Sequence, residues 1–158
     1  MRERKLISIE NTNFIYNTNF SGDPARDKFG SDARKANILI PTYEQAMELM
    51  DMGVNVKETK PKPGEEEGFE PKYFAMVRVN YKSKWPPKIH LVSGDAVPVL
   101  LDEESVCAID NCYVLNVNAV VNPSFNPNTG KTSLYVRTMY VEQDVEADPF
   151  AHRYARGE

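Results

Sequence analysis

Between residues 74 and 88 the chain sets rings among cations: Phe74, Arg78, Lys82, Lys84, Trp85 and Lys88, with Trp85 the only tryptophan in 158 residues. Tyr135 and Arg137 repeat the pairing further on. An unpaired nucleic-acid strand wants this combination. Each base stacks its flat face on a ring for about 1–3 kcal/mol, while Lys and Arg follow the phosphates and release counterions. Stacking reads no base edges, so no fixed motif is expected. A second basic set, Arg26, Lys28, Arg34 and Lys35, lies in a turn-rich segment and could close over such a strand. The competing reading is structural. Outward rings can pack under a loop or tail, Trp85 before Pro86 and Pro87 can plug a turn, and Asp23, Asp27 and Asp32 can offset the basic residues of the loop.

Catalysis finds no such constellation. The sequence has no glycine-rich phosphate loop, no Ser/His or Cys/His pair with a supporting motif, and no paired histidines. Cys107 and Cys112, with His90 and His152, give neither a disulfide framework nor zinc-ligand spacing, and both cysteines read as small buried hydrophobes. The chain is expected to be non-catalytic and to need no metal or other cofactor.

The elements that must position these residues are mostly strands. Cys112 to Glu142 holds two runs rich in β-branched and aromatic residues, broken by Pro123-Ser124-Phe125-Asn126-Pro127-Asn128-Thr129-Gly130-Lys131, and predicts a long antiparallel hairpin. Period-two alternation assigns Tyr113, Leu115, Val117, Ala119 and Val121 to the core face of its first strand. In the second strand it assigns Leu134, Val136, Thr138 and Tyr140 to the core, and Ser133, Tyr135, Arg137, Met139 and Val141 to the outer face. Tyr73 to Lys82 predicts another strand, with Tyr73, Ala75, Val77, Val79 and Tyr81 inward and Phe74, Met76, Arg78, Asn80 and Lys82 outward. Ile89 to Val92 is expected to pair back on it across the Trp85 turn.

Earlier in the chain, residues 5–10 predict a strand, and Asn11-Thr12-Asn13 a twist or bulge before Phe14. Residues 19–35 read as a long surface loop and 36–40 as a short strand ended by Pro41. Thr42 and Gln45 form a capping-box pattern opening a helix of about three turns that ends at Gly53, with Tyr43, Ala46, Met47, Leu49 and Met50 at helical spacing. Residues 57–70, with their proline, glycine and glutamate run, predict a mobile linker loop. Val97 to Leu100 predicts a short strand, and Asp102 a cap on a helical turn reaching Cys107.

A chain of this length with 41% hydrophobic residues can bury one core, so a single domain over 1–142 is expected, followed by an acidic and then mixed tail over 143–158. No run approaches the ~20 apolar residues of a membrane helix, and no signal-peptide core follows the first residues, so a soluble, cytoplasmic protein is expected. Net charge is −4, yet residues 71–100 carry five basic groups and one acidic, whereas 41–70 carry three and eight. Charge is segregated, with the positive part on the predicted ring-bearing strand pair.

Five or six strands, one helix and long loops fit a mainly β fold, a small OB-like Greek-key barrel, with a β-sandwich as the alternative. The order of pieces resembles that of phage single-stranded DNA-binding proteins with an OB fold. It is carried by an early strand and loop, Lys35-Ala36-Asn37-Ile38-Leu39-Ile40-Pro41, a helix, residues 57–62 and a tyrosine-led strand. The Val92-Ser93-Gly94-Asp95 turn, Ile109 to Val117, the Gly130-Lys131 hairpin and Leu134 to Val141 complete it. The resemblance implies a non-catalytic protein that coats single-stranded DNA in phage replication, recombination or repair, inside the host cytoplasm if phage-encoded. Expected partners are single-stranded DNA, replication or recombination proteins met through the tail, and further copies of the chain; no membrane is expected. The tail carries Glu142, Asp144, Glu146, Asp148 and Phe150 as such tails do, but departs from the pattern by continuing to Arg153, Tyr154 and Arg156. The rival function is a protein-binding phage accessory or inhibitor factor using the same rings against another protein.

Overall fold

Apolar side chains at period two fix most of the strands. In the computed structural model, which describes residues 6–26, 30, 32–94 and 97–144, nine strands and one α-helix form, against the five or six strands expected. The first two are β1 (Ile7–Thr12) and β2 (Phe14–Asn19), separated by Asn13. The expected irregularity falls there: the register shifts between Ile9 and Thr12, and Asn11 takes φ +54°, a left-handed conformation that asparagine tolerates. A 3-10 turn at Pro24–Arg26 interrupts the following loop, and β3 (Arg34–Ile40) begins two residues earlier than alternation suggested.

Helix α1 (Tyr43–Asp51) opens as the capping pattern requires, with the Gln45 N–H donating to Thr42 Oγ1 at 3.2 Å. The Gln45 side chain does not return to the cap; it donates to the Ser8 carbonyl at 2.7 Å and ties the helix to β1. Only Ala46 and Leu49 are buried, and Tyr43 and Met50 are exposed, so the helix seats a narrower stripe than its five apolar positions suggested. Burying Leu49 fully is worth about 1.5–3 kcal/mol.

Beyond the helix, β4 (Lys57–Glu58) pairs with β5 (Tyr73–Val79), and the Thr59 N–H donates to the Lys72 carbonyl at 2.8 Å. The base of the 57–70 excursion is therefore hydrogen-bonded to the sheet, where no structure was assigned from sequence. The remaining strands are β6 (Lys88–Ser93), β7 (Val99–Leu101), β8 (Val114–Asn126) and β9 (Lys131–Gln143). Asp102 caps the turn after β7, its Oδ1 accepting from the Glu104 and Ser105 amides, and a 3-10 stretch follows over Val106–Asn111. Cys107 is exposed, contrary to its expected burial; burial and the nearby Asp110 charge push the half-buried Cys112 thiol up. The tail beyond Asp144 lies outside the described residues.

The strands form one sheet along the path β1-β8-β9-β5-β3-β2. Its two end strands are sequence neighbours, and the Leu39 N–H of β3 donates to the Asn13 carbonyl at 2.9 Å between them. β8 and β9 are the predicted hairpin, closed by a Gly130 at φ +72° whose N–H donates to Asn126 O at 2.8 Å. Two bulges alter its faces. Between Val114 and Asn116 the extra residue is Leu115, so Leu115 and Tyr113 are exposed instead of buried. Between the pairs Val120↔Thr138 and Val121↔Val136 the extra residue is Arg137, after which Met139 and Val141 turn into the core and Tyr140 outward, reversing the expected faces.

β5 and β6 do not pair with each other as expected. Both run parallel to β9 along one edge of it, β5 at Leu134 and Tyr135 and β6 from Thr138 to Gln143. They lie end to end, and residues 80–87 leave the sheet opposite the Arg137 bulge. The core they cover is apolar, built on Ile9, Phe20, Ile38, Leu49, Val77, Ile89, Val117, Leu134 and Met139.

Candidate nucleic-acid interface

The outer face of the sheet carries one row of registered residues. Asn122 of β8 faces Tyr135 of β9, Tyr135 faces Arg78 of β5, and Arg78 faces Lys35 of β3. Neighbouring strands lie ~4.8 Å apart, so the row crosses four strands in about 14 Å, at right angles to them.

The excursion between β5 and β6 adds the ring. Trp85 is 63% exposed, and the Arg137 guanidinium sits 5.3 Å from its ring centroid, with Lys84 Nζ at 6.0 Å. A cation at this range holds an exposed indole in place by about 0.5–1 kcal/mol. Lys88 opens β6 beside Thr138, the residue after Arg137. Two depressions adjoin here. One, of about 180 Å³, is lined by Trp85, Tyr135, Arg137, Asn80, Ser83 and Asn122 among others. The second is lined by Arg34, Arg78, Lys82 and Tyr81 together with Asp32 and Glu103, and Tyr135 and Asn80 belong to both. Tyr135 and Asn80 thus stand between the two depressions.

The basic residues of the early loop divide. Arg34 donates to the Phe20 carbonyl at 2.7 Å, lies 3.9 Å from Glu103 and covers the Tyr81 ring at 5.5 Å, so it walls the groove while holding the loop. Burial pushes the Tyr81 phenol up to about 12, an effect the Arg34 charge partly opposes. Arg26 does not reach the groove as a cation to spare: its Nε donates to the Thr18 carbonyl at 3.0 Å and lies 3.6 Å from the buried Asp110 carboxylate. Lys28 lies outside the described residues.

Phe74 is the other correction. It occupies an outward position, yet it is only 7% exposed, because Tyr16 packs edge-on against it at 5.3 Å and β4 pairs alongside. Its faces are not open to a base. The sequence reading also missed Asp110 and Asn122. The Asp110 carboxylate accepts from Thr18 Oγ1 at 2.6 Å and from the Phe20 and Ser21 amides at 2.8 and 2.9 Å, anchoring the loop that carries Arg26. Asn122 continues the period-two asparagines 116 and 118, a signal that was visible in the sequence.

Among the described residues, no three His, Cys, Asp or Glu side chains are grouped to hold a metal ion, and no helix is long and apolar enough to cross a membrane. In fold, the chain is similar to the C-terminally truncated single-stranded DNA-binding protein from bacteriophage Enc34: TM-score 0.51, 15% identity, 88% of this chain and 86% of that one. A second structure, of the single-stranded DNA-binding protein from bacteriophage Enc34, aligns with TM-score 0.47 and 14% identity over 88% of this chain and 81% of that one. No curated protein matches the sequence. The family described as "Putative phage ssDNA-binding domain" matches residues 1–157, and the chain belongs to that family.

Proposed function

We propose that the protein is a non-catalytic, sequence-tolerant single-stranded DNA-binding protein whose strand lies across the outer face of β9, β5 and β3. The observation that carries this is Trp85, an exposed indole beside the Arg137 guanidinium at 5.3 Å, lining a depression that shares Tyr135 with a second one lined by Arg78. In this reading Trp85 and Tyr135 stack bases. Arg78, Lys82, Lys84, Lys88, Arg137 and Lys35 meet phosphates, and Arg34 borders the path. Phe74 and Arg26 support the fold and leave the contact set. Family membership and the shared fold support the same ligand. The scaffold is read as an OB-type barrel over residues 1–142, with β1 and β2 acting as one bent strand followed by β3, β5, β8 and β9. The parallel β5–β9 pair, and end strands β1 and β2 that follow one another in sequence, support it. Such a protein coats single strands during phage replication, recombination or repair in the host cytoplasm, with the tail over 143–158 engaging partner proteins.

A gel shift with single-stranded and duplex DNA of one sequence tests this. Retention of the single strand at low salt, with the duplex left unshifted, is the expected result. No shift of either would overturn it and favour the protein-binding rival.

A further inference from the structure

A further cavity, of about 220 Å³, is lined by Arg78, by Lys57 of β4 and by Lys131, the first residue of β9. Its other lining residues, among them Asn37, Met76 and Ser133, are uncharged, whereas the depression beside Arg34 takes in Asp32 and Glu103. Among the described residues, none of the three cations pairs with a carboxylate. Glu58 follows Lys57, but it pairs with Tyr73 where Lys57 pairs with Phe74, so alternation turns it to the other face. Three like charges around a cavity without an acid repel one another, and an anion between them relieves this. The cations are brought there by two segments eighty residues apart. Thr132 is only 7% exposed; its N–H donates to the Gly53 carbonyl at 2.9 Å, its Oγ1 donates to the Met52 carbonyl, and Val54 bridges to it. Gly53 takes φ +91°, and a Cβ there would lie 3.2 Å from Thr132 Oγ1 and 3.3 Å from the Gly130 carbonyl, so the chain leaving α1 is close-packed on the start of β9. β4 then registers Lys57 with Phe74, four residues from Arg78 and therefore ~13 Å along β5.

We infer that the bound strand continues past Arg78 over the outer face of β5 and β9 and sets consecutive phosphates on Lys57 and Lys131, one to each. The inference rests on the single-strand reading above and gives the track a second arm, directed away from Trp85. Arg78 is the joint, because it lines both this cavity and the depression beside Arg34. A phosphodiester backbone suits the arm better than a single small anion: its charges repeat along the chain, as the cations do from Arg78 to the far rim. Phosphate contacts fix the register of a strand and carry no sequence information. The arm therefore lengthens the footprint and raises affinity without choosing among bases.

The test reads the salt dependence of binding to a dT tract of about sixteen nucleotides, the upper span of one OB-type site. Each phosphate met on a single strand contributes about 0.7 to the slope of log affinity against log salt, so a Lys57→Gln/Lys131→Gln double variant should bind with a slope shallower by about 1.4. Between 50 and 200 mM salt the wild type should then lose about sevenfold more affinity than the variant. A Lys60→Gln/Lys62→Gln double variant makes the same charge change further along the excursion, at exposed lysines that line none of these depressions, and should keep the wild-type slope. Lys57 and Lys131 are exposed, so circular dichroism should show an intact fold. Either single variant should give half the change and decides the matter if the double variant does not fold. An unchanged slope in the folded Lys57/Lys131 variants, or an equal flattening in the Lys60/Lys62 control, would overturn the arm. Absence of wild-type binding to the tract at low salt would instead overturn the single-strand reading itself.

Discussion

Replacing Trp85 by Ala separates the interface from the fold. The indole is 63% exposed and belongs to the excursion between β5 and β6, outside the apolar core. Its loss removes the contact with Arg137, worth about 0.5–1 kcal/mol at an exposed site, and little else that holds the protein together. The fold should therefore survive with a stability loss of about 1 kcal/mol or less. If a base stacks on this ring, its loss forfeits about 1–3 kcal/mol of binding, a weakening of about 5- to 150-fold. Fluorescence anisotropy with a labelled dT oligonucleotide at low salt reads the affinity, and far-ultraviolet circular dichroism with thermal unfolding reads the fold. Because Trp85 is the only tryptophan, its emission should also be quenched when the wild-type protein binds. A Trp85→Ala protein that is folded and binds dT as tightly as the wild type would remove the ring from the track and with it the reasoning from its exposure.

Other outcomes follow from the same structure. If Arg78, Lys82, Lys84, Lys88, Arg137 and Lys35 all meet phosphates, log affinity should fall with log salt at a slope of about −4; a slope shallower than about −1 would mean that the cations are not on the path. Tyr81 has a buried hydroxyl with no hydrogen-bond partner, and its phenol is held up at about 12 against an ordinary 10.0. The unfolded chain thus loses this proton first, so stability is full below pH 10.0 and declines as pH rises toward about 12. Tyr81→Phe should lessen that alkaline decline and keep or raise the melting temperature at neutral pH; identical alkaline melting curves for the two proteins would contradict the burial argument. Asp110→Ala should cost about 3 kcal/mol in urea denaturation, because it strands two backbone amides and Arg26 beside a side chain only 2% exposed. A loss under about 1 kcal/mol would show that the loop is held by other contacts.

What could be read from sequence was local. The β8–β9 hairpin, the Thr42 cap and the irregularity at Asn11 each depend on residues within a few positions of one another, and each is present. Face assignments held until a bulge and then inverted. Alternation carries no memory of an inserted residue, so Leu115 reversed the reading of Tyr113, and Arg137 that of Thr138, Met139, Tyr140 and Val141. Phe74 failed for another reason: period two assigns a side of the sheet, and only tertiary structure says what covers that side, here Tyr16. The pairing of β5 and β6 with β9 instead of with each other joins segments some fifty residues apart, and no turn signal records it. The role of Asp110 is equally non-local, since its partners Thr18, Phe20 and Ser21 lie about ninety positions away.

The Arg137 bulge is where the core and the groove are reconciled. Without the extra residue, strict alternation along β9 would place Arg137, Met139 and Val141 on one side, and the second half of the strand would have to expose two apolar side chains or bury a charge. One inserted position lets Met139 and Val141 turn inward, each fully buried, while Arg137 stays outside. The same site is where β5 gives way to β6 along the neighbouring edge, so residues 80–87 leave the sheet beside the guanidinium and deliver Trp85 to it. The net charge of −4 does not oppose this, because the acidic groups concentrate elsewhere: residues 41–70 carry eight acidic and three basic groups, whereas 71–100 carry one and five. At ionic strengths near physiological, a strand laid on the outer face as proposed would sense charge within roughly 8 Å, and there it would meet Arg78, Lys35 and Arg137 before the protein's average.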